Sequence, residues 1–498
     1  MKRLLILLGA VVLIAALASP SLAQFRSWGY LQVESRWMVN LQHFNDDVND
    51  NQRGFAERFR VFFQYGDPKK VRAVVGFEAD STAFGEAGGA STSLLNGVSQ
   101  TATANRNHIG AVGTDQIGLE IKWGFLDFVI PNTPLTVSAG LQPFNIGGYV
   151  GKYWSTIDAP GLLVSANLAP HTIQGFWWRE YSNNITTGND SDMYGLRYLL
   201  KKPNFGIEAW FAYNEDRRDK VISHNWVTTT TPTPPAGSTN LILQQRQTSR
   251  PYEVKPWWLG FVVPVTLGNW QFEPAFVYLG GKAVTNRNTS VAGAPTQDKD
   301  YEGWMADLWI RYKIGPGLSA LVEGYYSTGP DTSSADKEKE YRFNNFSVAG
   351  QVMGSGKSVL FMSNSDITLY SYKQAIPTGV WFGRANVEYT PWSWLNAQLN
   401  YFYFGNTAKD TNRHLGLVSG QSNLGANGFN HTTLPGNVNP QFKRYIGQEI
   451  NSIITFKIYE NLRYIVGAGY FIAGDVYDTA TRSADNAWAL RSNIRYSF

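Results

Sequence analysis

The last twelve residues, Ala487 to Phe498 (AWALRSNIRYSF), alternate with a period of two. Read as a strand, they set Trp488, Leu490, Ser492, Ile494, Tyr496 and Phe498 on one face, with Ala489, Arg491, Asn493, Arg495 and Ser497 on the other. One face is oily and the other wet. In a soluble sheet a core would cover the oily face, yet this strand ends on an aromatic residue at the edge of that face.

The same beat recurs along the chain. Leu31, Val33, Trp37 and Val39 alternate with Gln32, Glu34, Arg36 and Met38, and Phe59, Val61, Phe63 and Tyr65 with Arg58, Arg60 and Gln64. Val71, Ala73, Val75, Phe77 and Ala79 oppose Arg72, Val74, Gly76, Glu78 and Asp80. Ile117, Leu119, Ile121 and Trp123 are then expected to face out, against Gln116, Glu120 and Lys122. Such segments run about ten residues, the length with which a tilted strand crosses a bilayer. A β-sandwich also alternates, but its strands run about 5–6 residues and one soluble core would have to cover every oily face.

Connections alternate between short and long. Brief turns fall at Gly66 to Lys70, Pro131 to Pro134, Ala169 to His171, Lys201 to Asn204, Leu267 to Asn269, Gly315 to Gly317, Thr390 to Trp394 and Tyr459 to Asn461. Long polar segments separate them, among them Ser81 to Gly113, Glu215 to Pro256, Gly329 to Thr378 and Asn406 to Tyr445. This is the pattern of an all-β transmembrane antiparallel barrel with short periplasmic turns and long extracellular loops. Counting gives about eighteen strands, with sixteen possible because Leu162 to Leu168 is short; an even number leaves both termini in the periplasm.

Composition agrees with a barrel. The chain has no cysteine, a net charge of +4 and 14% aromatic residues, including 17 Trp and 26 Tyr. Nothing in that balance points to nucleic acid or to disulfides, and the aromatics suit girdles where lipid meets water. Met1 to Ala23, with Lys2 and Arg3 ahead of an apolar run and Ser21-Leu22-Ala23 at its end, reads as a secretory signal peptide. Residues 24–498 are then expected to form a single barrel domain.

The terminal strand resembles the insertion signal of Gram-negative outer-membrane barrels, which here would be Ile494, Tyr496 and Phe498. Together with VSAGLQPF (Val137 to Phe144), LLVSANLAPHTIQGFW (Leu162 to Trp177) and an acid at Asp158, the chain resembles the general-diffusion porins, most of all the homotrimeric porins of sulfate-reducing bacteria. The resemblance implies a passive channel without a cofactor, homotrimeric in outer-membrane lipid and inserted by the barrel-assembly machinery. It further implies that the loop after the fifth strand, Gln142 to Pro160, folds into the pore as a constriction carrying Lys152 and Asp158.

Six inward arginines share one wall if the last strand closes on the first: Arg36, Arg58, Arg60, Arg72, Arg491 and Arg495. Glu34, Glu78 and Asp80 sit among them and neutralise part of the field, and Glu120, Glu208, Glu273 and Glu449 on other strands dilute it further. The expected outcome is weak anion preference. Inward aromatics such as Trp210, Trp309, Tyr325 and Phe402 fall on scattered strands, which argues against a sugar track, although a sugar- or anion-preferring porin is the alternative reading.

Other motifs carry less. Gly354-Ser355-Gly356-Lys357-Ser358 lacks the P-loop's first glycine, since Gln351 stands there. Asp46, Asp47 and Asp50, or Asp331, Asp336, Glu338 and Glu340, are loop acids without EF-hand spacing. His43, His108, His171, His224, His414 and His431 show no zinc spacing, and Thr228 to Gly237 is a low-complexity loop tip. An outer-membrane barrel enzyme or adhesin is the less favoured function, and a first strand starting at the mature N-terminus leaves no plug for an active transporter.

Overall fold

The computed structural model describes residues 25–40, 44–47, 51–80, 119–148, 151–182, 190–217, 222–229, 240–247, 253–286, 296–329, 331, 336–343, 358–360, 379–409, 444–478 and 482–498. The expected signal peptide, Asp50, most of Thr228 to Gly237 and residues 354–357 of the P-loop-like run lie outside them.

The wall opens with β1 (Phe25–Val39), β2 (Gln52–Asp67), β3 (Val71–Asp80), β4 (Glu120–Val129) and β5 (Leu135–Ile146). It continues with β6 (Ser155–Leu168), β7 (His171–Ser182), β8 (Asp190–Lys202) and β9 (Phe205–Asp216). β10 (Ile222–Thr229) and β11 (Asn240–Gln247) pair only with each other, within the connection that follows β9. Next come β12 (Glu253–Val262), β13 (Val265–Leu267), β14 (Trp270–Asn286), β15 (Thr296–Tyr301), β16 (Gly303–Gly315) and β17 (Leu318–Ser327). After β18 (Lys337–Glu338), the wall ends with β19 (Val380–Trp392), β20 (Leu395–Asn406), β21 (Tyr445–Tyr459), β22 (Leu462–Ala473) and β23 (Ala487–Ser497).

The sheet closes because β23 pairs antiparallel with β1, from Tyr30 opposite Ser497 to Val39 opposite Trp488. Of its 21 strands, β13 continues β12, while β15 and β18 extend the wall beyond the long-loop end, leaving a barrel of 18 antiparallel strands. Closure pairs every wall strand on both sides, so no edge is left to aggregate. The seam itself depends on a residue without a side chain: a Cβ at Gly29 would come within 2.8 Å of the Phe498 ring, and Gly29 and Phe498 exchange backbone hydrogen bonds of 3.0 and 3.1 Å.

Outward positions are apolar and exposed. Leu31, Ile494, Tyr496 and Phe498 face out as their alternation requires. Trp270, Tyr312, Trp392 and Trp394 gather at the short-turn end, and Trp37, Trp381, Tyr401 and Tyr470 toward the other, giving the two aromatic belts of a membrane barrel.

One strand departs from simple alternation. Gly76 pairs with Trp123 but Phe77 with Ile121, so Lys122 is bulged. The extra residue reverses the phase, and Trp123, expected on the lipid side, turns inward to stack 4.3 Å from Phe62.

The segment expected to fold inward does leave the wall. β5 pairs with β4 only as far as Leu141, and β6 pairs with β7 only from Gly161. Between these points β5 and β6 pair only with each other among the described residues, in a ribbon from Gln142 opposite Ala159 to Ile146 opposite Ser155. It is therefore a β-hairpin, with residues 147–148 and 151–154 the described part of its tip. Phe144, Ile146 and Trp154 are buried among Trp178, Trp210 and Trp258, so the apolar core of this barrel lies behind the hairpin, against the inner wall.

Candidate functional site

The constriction is built from two sides. On the wall, Glu78 of β3 receives Arg58 at 3.0 Å and Arg60 at 2.6 Å, both from β2. Its other oxygen lies 2.9 Å from the Lys122 ammonium, and Lys122 also reaches Asp158 of the hairpin at 2.8 Å. The indole Nε1 of Trp123 donates to the second oxygen of Asp158 at 2.8 Å. The bulge in β4 is what lets two consecutive residues grip one carboxylate. Three cations here meet Glu78 and Asp158, with Glu120 directly opposite Glu78 and Asp80 directly opposite Arg58 in the register.

Below this cluster Arg72 pairs with Asp127 of β4, donating Nε at 2.6 Å, and gives Nη1 to Gln64 at 3.0 Å. Ser138 donates to the same aspartate. Arg495 lies over the Tyr30 ring, 3.8 Å from its centroid, with Arg60 at 5.6 Å. Of the expected wall, then, Arg58, Arg60, Arg72 and Arg495 stand together with Glu78. Arg36 is half-buried. Asp80 is opposite Arg58 in the register, its side chain outside the described part.

Three expected lining residues do not face open lumen. Arg491 is buried, its Nη2 3.1 Å from the Met38 sulfur, and Glu34, opposite Asn493 in the register, is fully buried. Their level of the wall is covered, so neither contributes to an aqueous surface. Lys152 is likewise buried at the hairpin tip, because it anchors the tip to the far wall: Nζ donates to Asp307 of β16 at 2.8 Å and to Glu323 of β17 at 3.1 Å. Burial opposes its charge, but the carboxylates of Asp307, Glu323 and Glu273 outweigh that cost and hold the amine above the ordinary lysine value. Burial and the same carboxylates push the neighbouring Tyr153 phenol up.

Further anchors complete the hairpin's seat. Gly147 and Gly148, at φ 94° and 84°, take the left-handed conformation that aims both backbone N–H groups at Glu208, at 2.7 and 3.1 Å. Arg197 balances Glu208 at 2.9 Å. Arg384 of β19 links Glu323, at 3.0 Å, to Asn400, at 2.9 Å, and Asn400 donates to Asn451 at 3.0 Å. Asn451 in turn donates to Glu449 at 2.7 Å, which also takes the Ser358 hydroxyl at 2.6 Å and the Val359 N–H at 2.6 Å. Glu208, Glu273 and Glu449 thus seat inward-folded segments and do not dilute the arginine wall as expected.

Ser358, the last residue of the P-loop-like run, is engaged by a carboxylate of the barrel. The loop acids are met by cations: Asp331 by Lys339 and Lys409, Glu340 by Arg342, Asp47 by Arg482. No group of three metal-ligand side chains occurs among the described residues. His171 shares a 2.8 Å hydrogen bond with Tyr198. Trp210, Tyr325 and Phe402 are buried, so they offer no ring face to a sugar in transit.

Lys122 was legible as an inward cation, but its bridging role and that of Trp123 depend on the bulge, for which the sequence carries no signal beyond Gly76 opposite. The Asp307–Lys152–Glu323–Arg384 chain joins residues far apart in sequence and carries no local motif.

No protein-family model and no curated protein matches this chain. Among solved structures, it is similar to OccK8 (OprE) of Pseudomonas aeruginosa at 10% identity and a TM-score of 0.50, covering 96% of this chain and 99% of that one. A BenF-like porin from Pseudomonas fluorescens Pf-5 matches at 10% identity and a TM-score of 0.49, covering 95% and 98%. At such identities the likeness is one of fold.

Proposed function

We propose that the chain is a porin, a passive diffusion channel for small hydrophilic solutes and ions in the cell outer membrane, working as a homotrimer without cofactor or covalent step. The observation that carries this reading is the hydration of inward charges on one side of the lumen. The side chains of Arg72, Lys122 and Asp158 keep 32%, 22% and 28% of their exposure, whereas Asp307 and Glu323 behind the hairpin keep 0%. Charges stay wet along a conduit and are fully paired within a packed wall.

General diffusion is favoured over a sugar path because the inward aromatics Trp210, Trp309, Tyr325 and Phe402 come from scattered strands and all but Trp309 are buried. Weak anion preference is the reading of the inward arginines Arg58, Arg60, Arg72 and Arg495, whose field Glu78, Glu120, Asp127 and Asp158 neutralise in part. The leader of residues 1–23 is removed on export, and Ile494, Tyr496 and Phe498 serve the barrel-assembly machinery. In planar bilayers the protein is expected to give stepwise conductance with no energy source, and silence from folded protein would overturn the reading. A reversal potential across a salt gradient reports the sign of selectivity, and Arg58→Ser with Arg60→Ser is expected to move it toward cations.

A further inference from the structure

We infer that the lipid-facing surface of β6 to β9 holds a binding site for one membrane lipid whose headgroup carries both a phosphate and an amine. Its centre is Gly175 of β7. In the register Gly175 lies between Val164 of β6 and Leu196 of β8, with Phe211 of β9 beyond, all in the outward phase. Beyond its chain neighbours, a Cβ at Gly175 would meet only the Leu196 side chain, at 3.9 Å, so nothing in the sheet requires glycine there. The inward glycines of the neighbouring strands differ: a Cβ at Gly161 would come within 2.8 Å of Trp178, and one at Gly195 would run into the Phe176 ring. Glycine weakens a strand interior and often marks a place where something approaches the backbone closely. The missing side chain opens a groove of about 570 Å³, lined also by Leu162 and Trp177.

The groove is graded along the strands. One outward level nearer the long-loop end, Trp177, Tyr194 and Tyr213 stand opposite one another, and at the next level Arg179, Asp192 and Glu215 do so. Apolar, aromatic and charged levels thus follow in the order of a lipid's acyl chain, interface and headgroup. The charged level is tied to the groove: the Trp177 indole Nε1 donates to Asp192 at 3.1 Å, and Arg179 holds both oxygens of that carboxylate at 3.0 and 3.1 Å. Arg179 also pairs with Asp190 at 3.2 Å, and Arg217 with Glu215. The Arg179 side chain still keeps 37% of its exposure, so a headgroup phosphate can share it while the headgroup amine meets the carboxylates alongside. A purely anionic headgroup is repelled by those carboxylates. A second copy of the chain fits less well, because a stable interface buries about 1,600 Å² and this groove is one missing side chain wide, with Leu196 and Phe211 exposed beside it. In a bilayer, close packing rather than the hydrophobic effect holds an acyl chain against the wall.

Native mass spectrometry of the detergent-solubilised full chain, titrated with phosphatidylethanolamine or with phosphatidylglycerol of identical acyl chains, reads the binding. One tightly held phosphatidylethanolamine per chain is expected, retained about tenfold better than phosphatidylglycerol. Gly175→Leu, which fills the groove, should weaken that retention at least about tenfold. Arg179→Gln leaves the groove open and should abolish the preference between the two lipids. Gly324→Leu is the control: this glycine of β17 also has open space on the lipid side, but Tyr326 and Trp381 stand at the next level in place of an ion pair, and retention should not change. Equal retention of the two lipids by the unaltered chain, or equal loss in Gly175→Leu and Gly324→Leu, overturns the proposal. Dissociation of a multimer by Gly175→Leu also overturns it, since the groove would then be a subunit contact. The site does not depend on conduction, so each outcome is separate from the test of the channel.

Discussion

The ammonium of Lys122 stands 2.8 Å from the carboxylate of Asp158, joining the barrel wall to the hairpin that crosses its lumen. Both side chains remain partly exposed, so the bridge acts on passing ions more than on stability, where such pairs are worth about 0–1 kcal/mol. Lys122→Gln is expected to shift selectivity toward cations while leaving the hairpin seated by its tip. Reversal potentials and thermal unfolding of the variant check the two halves of that statement.

Lys152 is the opposite case. Its removal leaves buried Asp307 without its cation and Glu323 with Arg384 alone, and breaking a buried pair typically costs about 3–5 kcal/mol. Lys152→Met is expected to lower the unfolding temperature or free the hairpin tip, the latter appearing as larger and noisier single-channel steps. Normal conductance at normal stability would show that Glu208, the Tyr153 hydroxyl and the aromatic packing hold the tip without Lys152.

Phe498 stacks toward Phe59 and Tyr496, with ring centroids 6.2 Å away in each case, and its backbone closes the seam with Gly29. Truncating Phe498→Ala is expected to reduce the folded, heat-modifiable fraction recovered from membranes. Gly29→Ala should act similarly, because its Cβ would press on the same ring and on the Arg60 carbonyl. Electrophoresis with and without boiling reads both.

A homotrimer is expected to run at about three times the mass of the processed chain in mild detergent and to fall to the monomer on boiling. Light scattering or native mass measurement decides it, and a monomer under both conditions would sink the assignment.

Much of the architecture was legible because a membrane barrel writes itself locally. Each strand must turn an apolar face to lipid every second residue, so Leu31, Val33, Ile494 and Tyr496 declare their side without knowledge of their neighbours. The short turns were visible for the same reason, whereas the inward departure of Gln142 to Pro160 was implied by the resemblance to porins and not by alternation. Tertiary structure alone decided which charges do what. Glu208, Glu273 and Glu449 carry the same inward signature as Glu78, yet they hold folded segments because the hairpin tip and residues 358–360 come to rest on them. Lys152 became an anchor, and Trp123 a lumen residue, through a seat on distant strands and a one-residue bulge. Alternation is a property of neighbours along the chain, whereas the pairing of charges depends on which strands the closed barrel brings face to face.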